Sequence, residues 1–284
     1  MRNVLSVDVE DYFQVEAFAG QVTCGQWPSF APRVERNTGR ILDLFARHGT
    51  KATFFILGWI AERFPHLVQE IAACGHEIAC HGFAHQLLPR LTPEQFRADI
   101  RQAKDVLSGL SNHPITGYRA PSFSIVQKTL WAFDILAEEG FKIDSSVFPV
   151  HHDFYGIPEA PRSPYWRTTP AGNAIFEFPP STVRILNSNI GIAGGGYLRF
   201  APYFLTRRGV RYINQVEKQP AMVYFHPWEI DPDQPRIRAS LRSRLRHYTN
   251  LTSMEQKLAM LLRDFRFDTL SRVCAQLAVY QAGL

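Results

Sequence analysis

The chain has 284 residues, 45% of them hydrophobic, enough for one large domain or two small ones. A formal charge of +5 is modest, no nucleic-acid motif accompanies it, and no apolar run approaches the ~20 residues needed to span a bilayer. The four cysteines, Cys24, Cys74, Cys80 and Cys274, form no C-x2-C pair, so reduced thiols are expected. The opening "MRNVLSVDVE" enters strand-like alternation without a basic and then apolar leader, which predicts a soluble, cytoplasmic protein.

In chain order, "NVLSVDV" reads as a buried strand. Asn37–His48 carries Ile41, Leu44 and Phe45 at helical spacing, with Gly49 as its C-cap. "KATFFIL" is the second strand. "HLVQEIAAC", following Pro65, is helical and stops at Gly75, and "HEIAC" is the third strand. "TPEQ" at Thr92–Gln95 is a capping box opening a helix to about Leu107. "PITGYRA" is the fourth strand, "SIVQ" from Ser124 offers a second capping box for a helix to Gly140, and "FKIDSS" is the fifth strand. "AIFEFPPS" and "AMVYFHPW" read as further buried strands, flanking a helix near Pro202–Glu217. The glycine-rich "GIAGGGYLRF" reads as a mobile or tightly turning loop on the substrate side. Met254–Phe265 and Thr269–Tyr280 read as closing helices. Strands alternating with such helices predict βα units and a parallel sheet.

Chemically capable residues gather at the ends of these strands: Asp8 with Glu10 and Asp11, His81 with His85, Arg119, Asp144 and His226. In a βα-barrel all strand carboxyl ends open on one face, where active sites lie. His81 and His85, four apart in "HGFAH", would be weak evidence of a metal alone, and the convergence strengthens it. Two imidazoles and a carboxylate leave positions open on a divalent metal, zinc being the default. A hydrolase of this kind needs a base for water and an acid for the leaving amine, and Asp8 and His226 are the free candidates. Arg119, rigidified by Pro121 in "GYRAPSF", suits orientation of a carboxylate, whereas Asp144 could equally cap the following turn. Cys80 is expected to pack away from His81, and His76 to be structural.

The ordered set "SVDVED", "HGFAH", "YRAPSFS", "KIDSS" and "VYFHPWEID" resembles the motifs of the polysaccharide deacetylases (NodB-homology, carbohydrate esterase family 4), spanning about Val4 to Asp231. "VDVEDYFQV", "FHPWEIDPDQPR" and "RHYTNL" look most like the group linked to exosortase-associated exopolysaccharide loci. The resemblance implies a distorted (β/α) barrel of about seven strands, with residues 1–284 forming one domain and about 232–284 a helical extension packed on the barrel. It also implies an Asp-His-His metal site using His81 and His85, Asp8 as base and His226 as acid. Arg119 would orient Asp8, Asp144 would tune His226, and the backbone N–H of Ser122 would face the oxyanion. The usual adjacent Asp-Asp is here "DVED", so the carboxylate ligand is Glu10 or Asp11, with strand parity favouring Glu10. Where many relatives carry an aromatic after the motif's proline this chain has "APSF", which leaves Phe123 or Trp228 to stack on a sugar.

The reading that follows is metal-dependent removal of N-acetyl groups from amino sugars of a polysaccharide or its lipid-linked precursor. Hydrolysis of a small cyclic amide or ureide, or glycan binding without catalysis, are the competing readings. The expected partner is an N-acetylated glycan and not nucleic acid. The arginine-rich Arg236–Arg246 segment reads first as a solvated helix face, with docking on a membrane surface or a synthase left open.

Overall fold

The computed structural model describes residues 1–111, 113–152, 155–169, 171–192 and 194–283. The strands are β1 (Asn3–Val9), β2 (Thr53–Ile56), β3 (Glu77–Cys80), β4 (Gly117–Tyr118), β5 (Ile143–Asp144), β6 (Tyr165–Thr168), β7 (Ala174–Glu177), β8 (Thr182–Ile185), β9 (Ser188–Gly191), β10 (Met222–Phe225) and β11 (Phe267–Asp268). The main sheet runs β10-β1-β2-β3-β4-β5-β7, all parallel, with β6 antiparallel on the outer edge of β7 and β11 alongside the start of β1. The seven strands of the parallel row are the seven expected from apolar runs. They are legible because a parallel strand covered on both faces must be apolar throughout, and every residue of β1 is buried.

The two ends of the row meet beyond β7. Ser181 donates its N–H to Met222 O at 3.3 Å, and its Oγ accepts the Met222 N–H at 2.7 Å. The sheet is thus a curled, distorted barrel. Its outer side is covered by amphipathic helices Val34–Arg47, Pro65–Ala73, Pro93–Leu110 and Ala132–Glu138, whose Ile41, Phe45, Val68, Ile71, Ile100 and Phe133 enter the largest core cluster. The Thr92 box forms as expected, its Oγ1 accepting from Gln95 N at 3.2 Å, and the helix runs on to Leu110.

Four local expectations are corrected. Ser124 does not cap a helix: its Oγ accepts the Leu88 N–H at 3.2 Å, and Thr129 instead closes the turn at Val126. The α-helix there begins only at Ala132. The closing helix from Thr269 breaks into Leu270–Cys274 and Ala278–Gln281. "GIAGGGYLRF" holds a short helix, Gly195–Phe200, although its Ala193 lies outside the described residues. Gly194 takes φ 155°, and a Cβ there would meet the Tyr224 ring at 2.1 Å, so the backbone lies directly on that ring. Within 232–284, β11 adds a strand to the helices. β6, the β8–β9 hairpin and β11 went unforeseen because they are half-exposed or only two residues long, with no clean periodicity to read.

One close approach governs the loop after β3. The helix Gly58–Arg63 crosses Pro93–Leu110 so tightly that a Cβ on Gly58 would sit 2.4 Å from Phe83 and 2.9 Å from Ala103 Cα. Replacing Gly58 by Ala should therefore lower stability by about 1–3 kcal/mol through overpacking. Denaturant unfolding measures it, and an unchanged midpoint would show that the two helices separate freely.

Candidate active site

The carboxyl ends of β1, β3, β4 and β10 bring Asp8 and Glu10, His81, Arg119 and His226 to one face of the barrel. They line a cavity of about 690 Å³ together with His85, Ser122, Phe123 and Trp228, apart from Arg119, which lies wholly buried behind Asp8.

His81 leaves β3 directly, and its Nδ1 lies 2.8 Å from the Arg119 carbonyl. Since a carbonyl only accepts, Nδ1 carries the proton and Nε2 presents its lone pair to the cavity. Burial pulls His81 down to about 4, so the ring is neutral. His85 sits at φ 51° at the end of a loop that is bound on two sides. The helix Gly58–Arg63 donates Gly58 N–H to Gly82 O and Trp59 N–H to Phe83 O. From the other side, Asp99 accepts the Phe83 and Ala84 N–H groups at 2.8 and 3.3 Å. Asp99 is a site-supporting residue that sequence reasoning missed, since an acid at mid-helix carries no motif.

Glu10 completes a group in which the ligand atoms of Glu10, His81 and His85 all lie within 4.8 Å of one another. Glu10 Oε2 is buried, accepts no hydrogen bond, and stands 2.7 Å from His85 Nε2, while Oε1 accepts from the Trp228 indole at 3.1 Å. Burial alone would raise this carboxyl, but His85 and His226 outweigh it and hold it well below the usual carboxylate range. Two neutral-capable imidazoles facing an orphaned carboxylate oxygen fit a divalent metal. Asp11 lies outside the group. It caps the helix Val34–Arg47, accepting the Arg33 and Val34 N–H groups at 2.7 and 3.0 Å, and burial raises it to about 6. Of the two carboxylates left open by the sequence, Glu10 thus faces the imidazoles and Asp11 faces the start of a helix.

Beside the group stands Asp8. Arg119, fully buried, donates to Asp8 Oδ1 at 2.6 Å, to Ser6 Oγ at 2.8 Å and to Ser145 Oγ at 2.8 Å, and lies over the Phe55 ring at 4.1 Å. The second oxygen of Asp8 is 3.9 Å from His226 Nε2. Burial disfavours a charged His226, yet Glu10, Glu229 and Asp8 together lift it to about 9.

The carboxylate that holds His226 is not Asp144. Asp144 is wholly buried, accepts from Ser146 Oγ at 2.6 Å and Ser146 N at 3.0 Å, and neighbours Glu177, whose pKa burial and the Asp144 charge push far up. Ser146 in turn holds Ala120 N at 2.8 Å, so Asp144 braces the segment after Arg119. His226 Nδ1 instead faces Glu229 Oε2 at 3.1 Å, and Glu229 Oε1 accepts from Arg199 Nε at 2.6 Å. Glu229 escaped the sequence reading, although "HPWE" carried the signal: an acid three residues after an imidazole that starts a helical turn. Trp228 lines the cavity while its ring is largely covered, stacked on His226 (5.2 Å) and His247 (4.1 Å). Phe123 packs on Tyr224 at 4.7 Å and reaches the cavity wall, next to Ser122 at φ 52°. Cys80 is buried in the main core, and His76 accepts the Ala52 N–H at 3.1 Å.

Comparison with known proteins places this geometry. A polysaccharide deacetylase profile matches residues 28–140, and a domain of unknown function (DUF3473) matches 145–275. A peptidoglycan-N-acetylglucosamine deacetylase of Bacillus cereus is 36% identical over 107 residues, 37% of this chain and 38% of that protein. The chain spans little more than a third of the length of such curated relatives. Among solved structures, a putative polysaccharide deacetylase from Mycobacterium smegmatis superposes with TM-score 0.58 at 18% identity, covering 97% of this chain and 91% of that one. An allantoinase superposes with TM-score 0.57 at 16% identity, covering 95% and 87%. At such identities these two show the fold alone. The profile match and the curated relatives show a polysaccharide deacetylase domain over residues 28–140.

Proposed function

We propose that the protein is a metal-dependent N-deacetylase acting on amino sugars of a polysaccharide or its lipid-linked, exopolysaccharide-type precursor. The observation that carries this reading is the placement of Asp8 and His226 beside the Glu10–His81–His85 group, Asp8 clamped by Arg119 and His226 by Glu229. Those three residues would hold a divalent cation, zinc by ligand type, which when bound polarises an amide carbonyl and acidifies water.

The chain's own residues do the proton work. Asp8, oriented by Arg119, takes a proton from the attacking water as its oxygen bonds to the acetyl carbon. His226, protonated at neutral pH, delivers a proton from Nε2 to the sugar nitrogen as the C–N bond breaks, releasing acetate and a free amine. Ser122 stands at the cavity wall where a backbone N–H would face the developing oxyanion. Asp144 and Ser145 keep the Arg119 segment in register. The cavity's volume of about 690 Å³ supports a glycan ligand over a single small ring.

Acetate release from N-acetylated oligosaccharides tests the reading, with full loss expected after chelation and recovery on adding back zinc. Turnover unaffected by complete metal removal would sink it. Asp8→Asn should cut kcat by about 10³-fold or more while metal content stays unchanged. Glu229→Gln should shift the alkaline limb of the kcat/KM profile to lower pH. The sign follows from the acid's role: His226 must be protonated, the Glu229 carboxylate raises its pKa, and removing that charge lowers the pH at which the proton is lost. A limb that stays in place would reassign Glu229 to packing.

A further inference from the structure

The mouth of the cavity is built from three segments unlike the rest of the surface. Ile190 and Gly191 of β9, Gly196 and Phe200 of the short helix, and Arg242 and Arg246 of the helix Leu241–Tyr248 all border it. Residues 183–215 and 234–254, which contain these segments, hold ten arginines and neither Asp nor Glu. Arg199 is committed internally to Glu229, and Arg207 to Asp264 at 2.9 Å, whereas Arg184, Arg208, Arg211, Arg238 and Arg244 stand on the surface. Glu16, an acid at the mouth whose segment packs against the helix Leu241–Tyr248, is paired with Arg90 at 2.6 Å.

The same segments expose large apolar side chains that water disfavours. On the helix Leu241–Tyr248, His247 points inward against Trp228, which turns Leu241 and Leu245 on the far side of the turn to solvent, 70% and 58% exposed. Arg242 and Arg246 flank that apolar pair on one side and Arg244 on the other. In the β8–β9 hairpin the tip residue is Leu186, at φ 54° and 91% exposed. A tight hairpin tip with positive φ ordinarily takes Asn or Gly, so a leucine there bears backbone strain and gains nothing from the fold. Phe200 and Phe204 extend the exposed apolar area. Exposed apolar side chains interspersed with arginines, on segments that border the opening and themselves carry no acid, match the interfacial layer of an anionic bilayer, where leucines enter the acyl boundary and guanidinia meet lipid phosphates.

We propose that this rim seats the protein on an anionic membrane surface, with the cavity mouth facing the headgroups. This deepens the deacetylase reading, since a glycan carried on a lipid would be presented at that height. The test reads binding alone, so its outcome is independent of whether the cavity deacetylates anything. Full-length protein is sedimented with phosphatidylcholine vesicles with and without phosphatidylglycerol at about a third of the lipid. Partitioning should be at least about tenfold stronger on the anionic vesicles at low salt and weaken as salt is raised. The triple replacement Leu186→Ser, Leu241→Ser, Leu245→Ser should reduce it about tenfold. Arg242→Gln with Arg244→Gln should reduce it by about fivefold per arginine, with thermal melting confirming that both variants remain folded. Equal or absent binding to the two vesicle types overturns the proposal. So does a leucine variant that binds like the parent while only the arginine variant loses binding, which would mark the rim as a site for soluble polyanions.

Discussion

Arg119 carries a guanidinium with no water around it, and a buried charge of that size must be matched where it stands. The matching groups come from separate parts of the chain: Ser6 and Asp8 from β1, and Ser145 just after β5. Its backbone is equally engaged, the N–H donating to Cys80 O at 2.9 Å and the carbonyl receiving His81 Nδ1. One residue therefore fixes the rotamer of the proposed base and the tautomer of a proposed ligand at once. Removing the side chain would leave Asp8 a buried charge without its counter-ion, a loss of about 3–5 kcal/mol by the general behaviour of broken buried pairs.

A second buried chain of charges runs on the other side of the cavity. Arg199 sits against Glu229, and Glu229 against His226. Arg199 is itself pinned by the carbonyls of Arg246, His247 and Thr249, while Lys257 donates to Leu198, Arg199 and Ala201 O. The imidazole proposed as acid is thus anchored in residues 241–257, outside the parallel row. This explains why that part of the chain, which supplies neither ligand nor base, still shapes the site.

The parallel row, and the gathering of polar residues at its strand ends, were legible because they obey strong local rules. Fully buried strands must be continuously apolar, and the polar residue that ends such a run marks the strand's carboxyl end. Alternation along β1 favours Glu10, and the structure groups Glu10 with His81 and His85 while Asp11 caps a helix. The partner of His226 was not readable from the ordered motifs. Asp144 and Glu229 are both acids near the right strand ends, and only the three-dimensional path shows that Asp144 meets Ser146 and Glu177 while Glu229 meets the imidazole. The rim was partly legible, as an arginine run, but not its apolar content. Leu241 and Leu245 look like core residues until His247 is seen to take the inward side of their helix.

The loop carrying His85 is tied down by Gly58, Trp59 and Asp99, all through groups that coordinate nothing. Its shape is therefore dictated by the scaffold. A seat braced in this way would keep its shape before any ion entered it, so the proposed cation could come and go without the surrounding chain having to refold.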